Sequence, residues 1–292
     1  MSSSEKSKNS DSIKTGKALS GVAFELLFKE KVFFTLIILS TISLTIIYAI
    51  FIVLYQFDSE MLAFPFRIHK VLDQLFLSEN YMLIFISYLL TYFSITFFNT
   101  ALTHAAISFF NDQKPSVNSS IQFCLSKFKV ILAWSVMSST IGFILRLTRY
   151  RKDLRKFLPF WLIVDMGWSL ATYLVIPILV VEEISLKETI KRSGKLFKDT
   201  WGERIIAHAY MGLLGFFIFA LLIIPLSMLS NKGIIPMSVQ MTILAISGGI
   251  LTSSLSGAGN IIRASVYQYA IDGPTWFNRE AIQNLFVSST DS

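Results

Sequence analysis

The sequence predicts an all-α membrane protein, a polytopic bundle of six transmembrane helices with amphipathic helices at the membrane surface. Of its 292 residues, 53% are hydrophobic and only 15% are charged, whereas soluble domains are roughly 45–50% apolar and about 25% charged. Several long stretches also lack charge, and about 20 apolar residues suffice to cross a bilayer. This composition excludes a soluble enzyme, a nucleic-acid-binding domain and a disulfide-stabilised secreted module.

Six apolar runs are predicted to span the membrane within a transmembrane domain that covers residues 18–272. Only helices and closed barrels satisfy their backbone hydrogen bonds in lipid, and these runs are too long and uniform for barrel strands. The single acidic residue inside any of them is Asp165. The predicted spans are 32–57, 81–110, 130–145, 157–181, 205–230 and 233–262.

The positions of Lys and Arg predict the orientation, because cytoplasmic loops are enriched in these residues. Six crossings with both termini in the cytoplasm place 17 of the 26 basic residues on the cytoplasmic side and 9 opposite. If the short run 130–145 were re-entrant, the division would be 16 to 10. The count therefore favours six crossings, although the basic loop 146–156 then falls on the outer side.

The segments that flank the spans are polar or amphipathic. Residues 1–17 are rich in Ser and Lys and predict a disordered cytoplasmic tail. Amphipathic surface helices are predicted near residues 18–31, 186–200 and 274–287, the last within a cytoplasmic C-terminal segment, 273–292.

The segment after the fourth run predicts a basic amphipathic helix. Ser185 and Glu188 have the spacing of a capping box, so the helix is expected to begin at Leu186. One face is apolar and a neighbouring face carries lysines, which is typical of a helix lying on anionic lipid headgroups. The alternative is a docking site for an acidic partner, and the acids Glu182 and Glu183 are expected to cap or pair with this helix. The predicted membrane-surface residues are Lys187, Lys191, Lys195, Lys198 and Trp201.

Polar residues inside the predicted spans are candidate functional positions. Asp165 is either a proton, cation or substrate site or the partner of Arg146 or Arg149, and the ion pair is the favoured interpretation. A polar face on the second span either lines a pathway or makes hydrogen bonds between helices, which is the commoner use. The candidate intramembrane polar site consists of Asp165, Asn99, Thr103 and His104.

Small residues recur every fourth position in the sixth run, at Gly249, Ser253 and Gly257. This spacing lets a neighbouring helix approach closely. The neighbour is either another helix of the same bundle, the commoner case, or a second copy of the chain.

Catalytic and ligand-binding motifs are missing from the sequence. It contains no nucleophile elbow, no HExxH motif and no Gly-rich phosphate loop. With three His and one Cys, no metal site and no cofactor are predicted. The excess of Lys and Arg lies beside the spans, where it serves topology, so nucleic acid is not an expected partner.

Several short motifs occur in order along the chain. They include FFNTALTHAA (97–106), TIGFILR (140–146), IPILVVEE (176–183), ETIKRSGKLFKDTWGE (188–203) and VYQYAIDG (266–273). Together with Trp134 and Trp168 they resemble a family of uncharacterised prokaryotic six-helix membrane proteins, a domain of unknown function, over about residues 23–286. A looser similarity runs to the membrane domain of some glycerophosphodiesterases. The resemblance implies a multi-pass protein of the prokaryotic cytoplasmic (inner) membrane and a fold more than a function.

The expected function is that of a non-enzymatic scaffold or accessory subunit. Its expected partners are the lipid bilayer with its anionic headgroups, and a membrane protein or a second copy of the chain. The alternative is a transporter or channel for a small solute or lipid that uses an intramembrane polar cavity. An intramembrane enzyme is the least expected class, because no motif supports it.

Overall fold

The computed structural model describes residues 21–23, 25–54, 81–150, 158–199, 217–218, 220–230, 232–234 and 236–273, and these residues are mostly helical. They contain no β-strand, so the predicted all-α class is confirmed for this part of the chain. The delimited helices are α1 Lys31–Leu54, α2 Tyr81–Phe110, α3 Val117–Ser126, α4 Phe128–Tyr150, α5 Leu158–Ala171, α6 Val175–Val181, α7 Leu186–Asp199 and α8 Met237–Asp272.

Four segments are long and apolar enough to cross a membrane, and they correspond to the first four predicted spans. Of the fifth predicted span the structure describes mainly the apolar helix Ala220–Ser230. The sixth, 233–262, overlaps α8, which begins four residues later, at Met237, and is longer than predicted at 36 residues. Helices suited to a membrane are thus confirmed, whereas their number stays a prediction. The four segments are Lys31–Phe51, Met82–Phe110, Phe128–Leu145 and Ile163–Val181.

The predicted surface helix before the first span is helical at residues 21–23 and 25–29. Val22 and Leu26 on one side are buried, whereas Phe28 and Lys29 on the other are exposed. It ends at Lys29, and Glu30 separates it from α1. The predicted tail 1–17 and the predicted helix 274–287 lie outside the described residues.

The chain forms two compact units, each assembled from several segments. Unit 1 comprises Met1–Ile37, Leu102–Ser120 and Lys195–Ser292. Unit 2 comprises Ile38–Ala101 and Ile121–Gly194.

A close helix contact lies in unit 1. Gly257 of α8 is buried, and a Cβ added to it would be 2.8 Å from Ile37 Cγ1 on α1. Glycine therefore permits an approach that any larger residue would obstruct. Here the neighbour belongs to the same chain; the surroundings of Gly249 and Ser253 fall outside the described part.

An aromatic cluster lies in unit 2. Trp134 of α4 packs with Val175, Ile176 and Leu179 of α6. The ring of Trp168 on α5 stacks on Trp134, with centroids 6.0 Å apart and planes inclined by 19°. We call these five residues the Trp134 cluster. It joins three helices that follow one another in the chain.

The fourth predicted span, 157–181, is not one continuous helix, which corrects the prediction. Helix α5 ends at Ala171, residues 172–174 form a turn, and α6 begins at Val175. Pro177 is the physical reason, because a proline ring clashes with the carbonyl four residues earlier in a helix, here Tyr173. Pro177 is instead the third residue of α6, where a backbone N–H has no acceptor within the helix. Its missing N–H therefore costs no hydrogen bond.

Candidate functional site

The polar residues near the end of α2 include one that joins this helix to α3. His104 Nδ1 lies 3.2 Å from Ser120 Oγ, and the Ser120 side chain is fully buried. One turn earlier the Thr100 hydroxyl donates a hydrogen bond to the Thr96 carbonyl at 2.8 Å. The His104 and Thr100 side chains therefore both have hydrogen-bond partners within the protein.

Thr103 differs from its neighbours on α2. It is fully buried, and its Oγ1 has no hydrogen-bond partner among the residues that the structure describes. Buried hydroxyls are usually bonded, so such a group marks either strain or a binding position. Asn99, one turn before it, is partly exposed.

Asp165 lies on α5 and is partly exposed, between the exposed Val164 and Met166. The side chains of Arg146 and Arg149 are outside the described part, so the proposed ion pair stays a prediction. Of the four residues of the predicted polar site, Asp165 and Asn99 belong to unit 2, whereas Thr103 and His104 belong to unit 1.

The basic helix α7 begins at Leu186, where the sequence predicted it. The capping box is present: the Ser185 N–H donates to Glu188 Oε2 at 3.2 Å, and the Glu188 N–H donates to Ser185 Oγ at 3.4 Å. The Ser185 hydroxyl also donates to Glu188 Oε2 at 2.8 Å. The hydrogen bonds from Ser185 lower the pKa of Glu188. Local sequence alone therefore explains where this helix starts.

The apolar face of α7 is covered by protein. Leu186 and Ile190 pack against the Trp134 cluster. Ser193 is fully buried, and its Oγ accepts the backbone N–H of Leu174 at 3.0 Å, in the turn between α5 and α6. The four lysines that the sequence assigned to the membrane surface, Lys187, Lys191, Lys195 and Lys198, are all exposed, and Trp201 is outside the described residues. We call these four the lysine stripe.

Two acids at the end of α6 bind cations from different elements. The Arg192 Nε donates to Glu182 Oε1 at 3.3 Å, so this acid pairs with α7 as predicted. Glu183 instead accepts a hydrogen bond from Lys127 Nζ at 2.8 Å, between α3 and α4. That hydrogen bond and the charge of Lys127 lower the pKa of Glu183. Ion pairs therefore connect the end of α6 both to α7 and to the residue between α3 and α4.

A family model matches residues 78–277, from just before α2 to just after α8. The chain belongs to the family of unknown function DUF6159. The uncharacterised family expected from the motifs is thus confirmed in this coarse sense, while the glycerophosphodiesterase likeness stays a prediction. No curated protein and no solved structure matches the chain.

The DUF6159 segment contains every residue of the Trp134 cluster and of the lysine stripe. Sequence reasoning gave Ser193 no role beyond the apolar face, and nothing in its local pattern indicates a bond to Leu174. It also left Cys124 without a role. This buried thiol donates to the Phe97 carbonyl at 3.4 Å, and burial raises its pKa to about 12, so it is chemically inert. No group of three or more His, Cys, Asp or Glu that could hold a metal occurs among the described residues.

Proposed function

We propose that this chain is a non-enzymatic scaffold or accessory subunit that organises lipid or partner proteins in a membrane. The observation that carries the proposal is the hydrogen bond between His104 and Ser120. The most polar part of a candidate span is used to join two helices, which favours a structural role for the polar residues. Gly257 against Ile37 supports the same role for the small residues of α8.

The surfaces available to partners are mostly apolar. In each of the first two candidate spans, only 17% of the most apolar stretch of 18 residues is buried inside the protein. The exposed remainder of α1 includes Ile38, Ile42 and Ile46, one turn apart along a single face. Such faces suit lipid chains, a membrane-protein partner or a second copy of the chain.

The proposed setting is a prokaryotic cytoplasmic membrane crossed six times, with both termini in the cytoplasm. The division of Lys and Arg, 17 to 9, supports this orientation. In a Cys124→Ser background, Ser119→Cys should be protected from a membrane-impermeant maleimide in intact cells, and Lys232→Cys should be labelled. Both positions are exposed, so burial does not confound the result. The reverse pattern would invert the orientation.

The alternative is a transporter or channel for a small solute or lipid. The Thr103 hydroxyl favours it, because this buried group has no hydrogen-bond partner among the described residues and is left to bind a ligand. In that case Asp165 and Asn99 would face a common aqueous cavity.

One experiment separates the two functions. The purified protein is reconstituted into vesicles, and the fluxes of protons, K⁺ and a lipid reporter are compared with protein-free vesicles. In parallel, Asp165→Cys in the Cys124→Ser background is treated with a small charged thiol reagent, with the exposed Lys232→Cys as the positive control. If the chain is a scaffold, we expect no flux and no reaction of Asp165→Cys with the thiol reagent. Flux that Asp165→Asn abolishes, with a reactive Asp165→Cys, would replace the scaffold by a transporter.

A further inference from the structure

Residues 175–199 form an α6–α7 hairpin in which an apolar helix packs against a basic one. The bond from the Leu174 N–H to Ser193 Oγ means that α7 returns to the level at which α6 begins. Leu174 lies near the middle of the apolar segment Ile163–Val181. If the whole segment crossed the membrane, the middle of α7 would lie near the centre of the bilayer.

The lysine stripe is incompatible with that depth. Lys191 and Lys195 each stand two residues from Ser193, about 3 Å along the helix axis, and both are exposed. A lysine at the centre of a membrane helix is disfavoured by roughly a hundredfold. Helix α7 therefore belongs outside the hydrocarbon core, and so does α6, which it accompanies.

The burial of α5 and α6 changes at the turn between them. On α5, Ile163 and Met166 are 65% and 61% exposed, as suits side chains that face lipid. On α6, residues 175–179 are all buried, and exposure returns at its last residue, Val181. An apolar helix needs complete protein cover where water has access, but not where lipid surrounds it.

We propose that the fourth crossing ends at the turn 172–174, and that the α6–α7 hairpin lies at the level of the lipid headgroups, where its lysine stripe binds anionic phospholipid. The 14 residues of α5 extend about 21 Å. A bilayer accommodates a crossing this short by thinning locally. This inference rests on the proposed function only in requiring that the chain resides in a membrane.

The charge of the lysine stripe indicates what kind of molecule binds to it. Three nearby acids whose side chains the structure describes already bind other groups: Glu182 binds Arg192, Glu183 binds Lys127, and Glu188 bonds Ser185 in addition to its electrostatic attraction to Lys191. The apolar face of α7 is packed on protein, so the helix cannot insert into lipid and its attraction must come from its lysines. Each lysine near an anionic surface contributes about fivefold in affinity. Because the lipid-facing helix α5 ends beside the hairpin, phospholipid headgroups are the anions within reach.

The depth of the hairpin is tested with nitroxide labels in the full chain, reconstituted in vesicles of phosphatidylglycerol and phosphatidylcholine. Single cysteines replace Met166, Lys191 and Lys195 in the Cys124→Ser background. We expect the label at Met166 to collide mainly with oxygen, which concentrates in hydrocarbon. The labels at Lys191 and Lys195 should collide mainly with a water-soluble nickel complex. A label at Lys195 that favours oxygen would overturn the proposal.

The occupant is tested by the ratio of phosphatidylglycerol to phosphatidylcholine that co-purifies with the protein from vesicles of equal composition. Replacing the four lysines of the stripe by Gln should lower this preference by at least about tenfold. The matched control replaces four other exposed lysines, Lys29, Lys31, Lys114 and Lys129, by Gln and removes the same charge. The control should retain most of the preference, and raised salt should weaken the preference of the unmodified chain.

Two results would overturn the lipid assignment. An unchanged preference in the stripe variant would leave an acidic protein as the occupant. An equal loss of the phosphatidylglycerol preference in both variants would show that net charge, and not a specific site, attracts the lipid. Neither result touches the scaffold proposal, which depends on the vesicle fluxes and on the labelling of Asp165→Cys.

Discussion

Two helix contacts, one in each unit, show different ways of joining helices. In unit 1 the contact between α8 and α1 depends on Gly257, which has no side chain, and on Ile37 lying against it. In unit 2 the Trp134 cluster uses large side chains, and α7 is further fastened by a buried hydrogen bond and an ion pair.

The difference is the one expected from the proposed positions, with the contact of α8 and α1 within the bilayer and α7 at its surface. Lipid chains are as apolar as leucine, so helices in a bilayer gain little from hiding apolar side chains and associate by close packing. A helix that borders water gains from burying them. The Trp134 cluster covers the apolar face of a helix whose other face carries lysines, which is the arrangement expected at a membrane surface.

The largest expected effect comes from emptying the aromatic cluster. Trp134→Ala should lower the free energy of unfolding by about 3–5 kcal/mol, because it leaves a cavity among α4, α5 and α6. The measurement is an unfolding titration with SDS in mixed micelles. Leu132→Ala, an exposed position on the same helix, is the control and should cost much less. Equal losses would mean that the cluster contributes no more than a lipid-facing side chain.

The second largest loss of stability is expected from placing a side chain in the space beside Gly257. Gly257→Leu forces its side chain into Ile37 and should cost about 3 kcal/mol in the same titration. Gly259→Leu is the matched control, because nothing lies within 4 Å of a Cβ added there. Ile37→Ala combined with Gly257→Leu should recover part of the loss. If the two glycine variants lose equal stability, helix propensity rather than close packing explains the effect.

A smaller loss is expected from removing the bond between the turn and α7. Ser193→Ala leaves the buried N–H of Leu174 without its acceptor, at a cost of about 1–2 kcal/mol. Thr189→Val on the same helix is the comparison, since the Thr189 hydroxyl bonds the carbonyl of Ser185, the residue that directly precedes this helix. A Ser193→Ala variant as stable as the unmodified chain would show that water replaces the hydroxyl.

The smallest effect is expected from the exposed pair of Lys127 and Glu183. Lys127 lowers the pKa of Glu183 in the folded chain. The contribution of the pair is therefore complete above the ordinary glutamate pKa and disappears as the pH falls through the lowered value. The melting temperature of the unmodified chain should exceed that of Glu183→Gln slightly at neutral pH, and the gap should close on acidification. A Lys127→Gln background should abolish the gap at every pH.

Local features of the fold were predictable because they depend on neighbours in sequence. Apolar runs of sufficient length predicted the four segments that are long and apolar enough to cross a membrane. Ser185 and Glu188 predicted the start of α7, because a capping box involves residues three apart. The helical period also placed the four lysines on one exposed stripe.

The break in the fourth span was missed because Pro177 was treated as part of an apolar run and its clash with the preceding turn was not weighed. The pairing of Glu183 with Lys127 joins residues 56 apart, and no local pattern indicates it. For the predicted polar site, the structure adds the bond between His104 and Ser120 and the buried hydroxyl of Thr103.

The sequence by itself determined that this chain is helical, that several of its helices suit a membrane, and which residues share a helix face. It did so because hydropathy and the helical period are properties of consecutive residues. Only the tertiary structure decided what covers each face: protein rather than lipid on the apolar face of α7, and Ile37 of the same chain on Gly257. An apolar face is equally satisfied by lipid or by protein, so its composition cannot select between them; the contacts of the folded chain do.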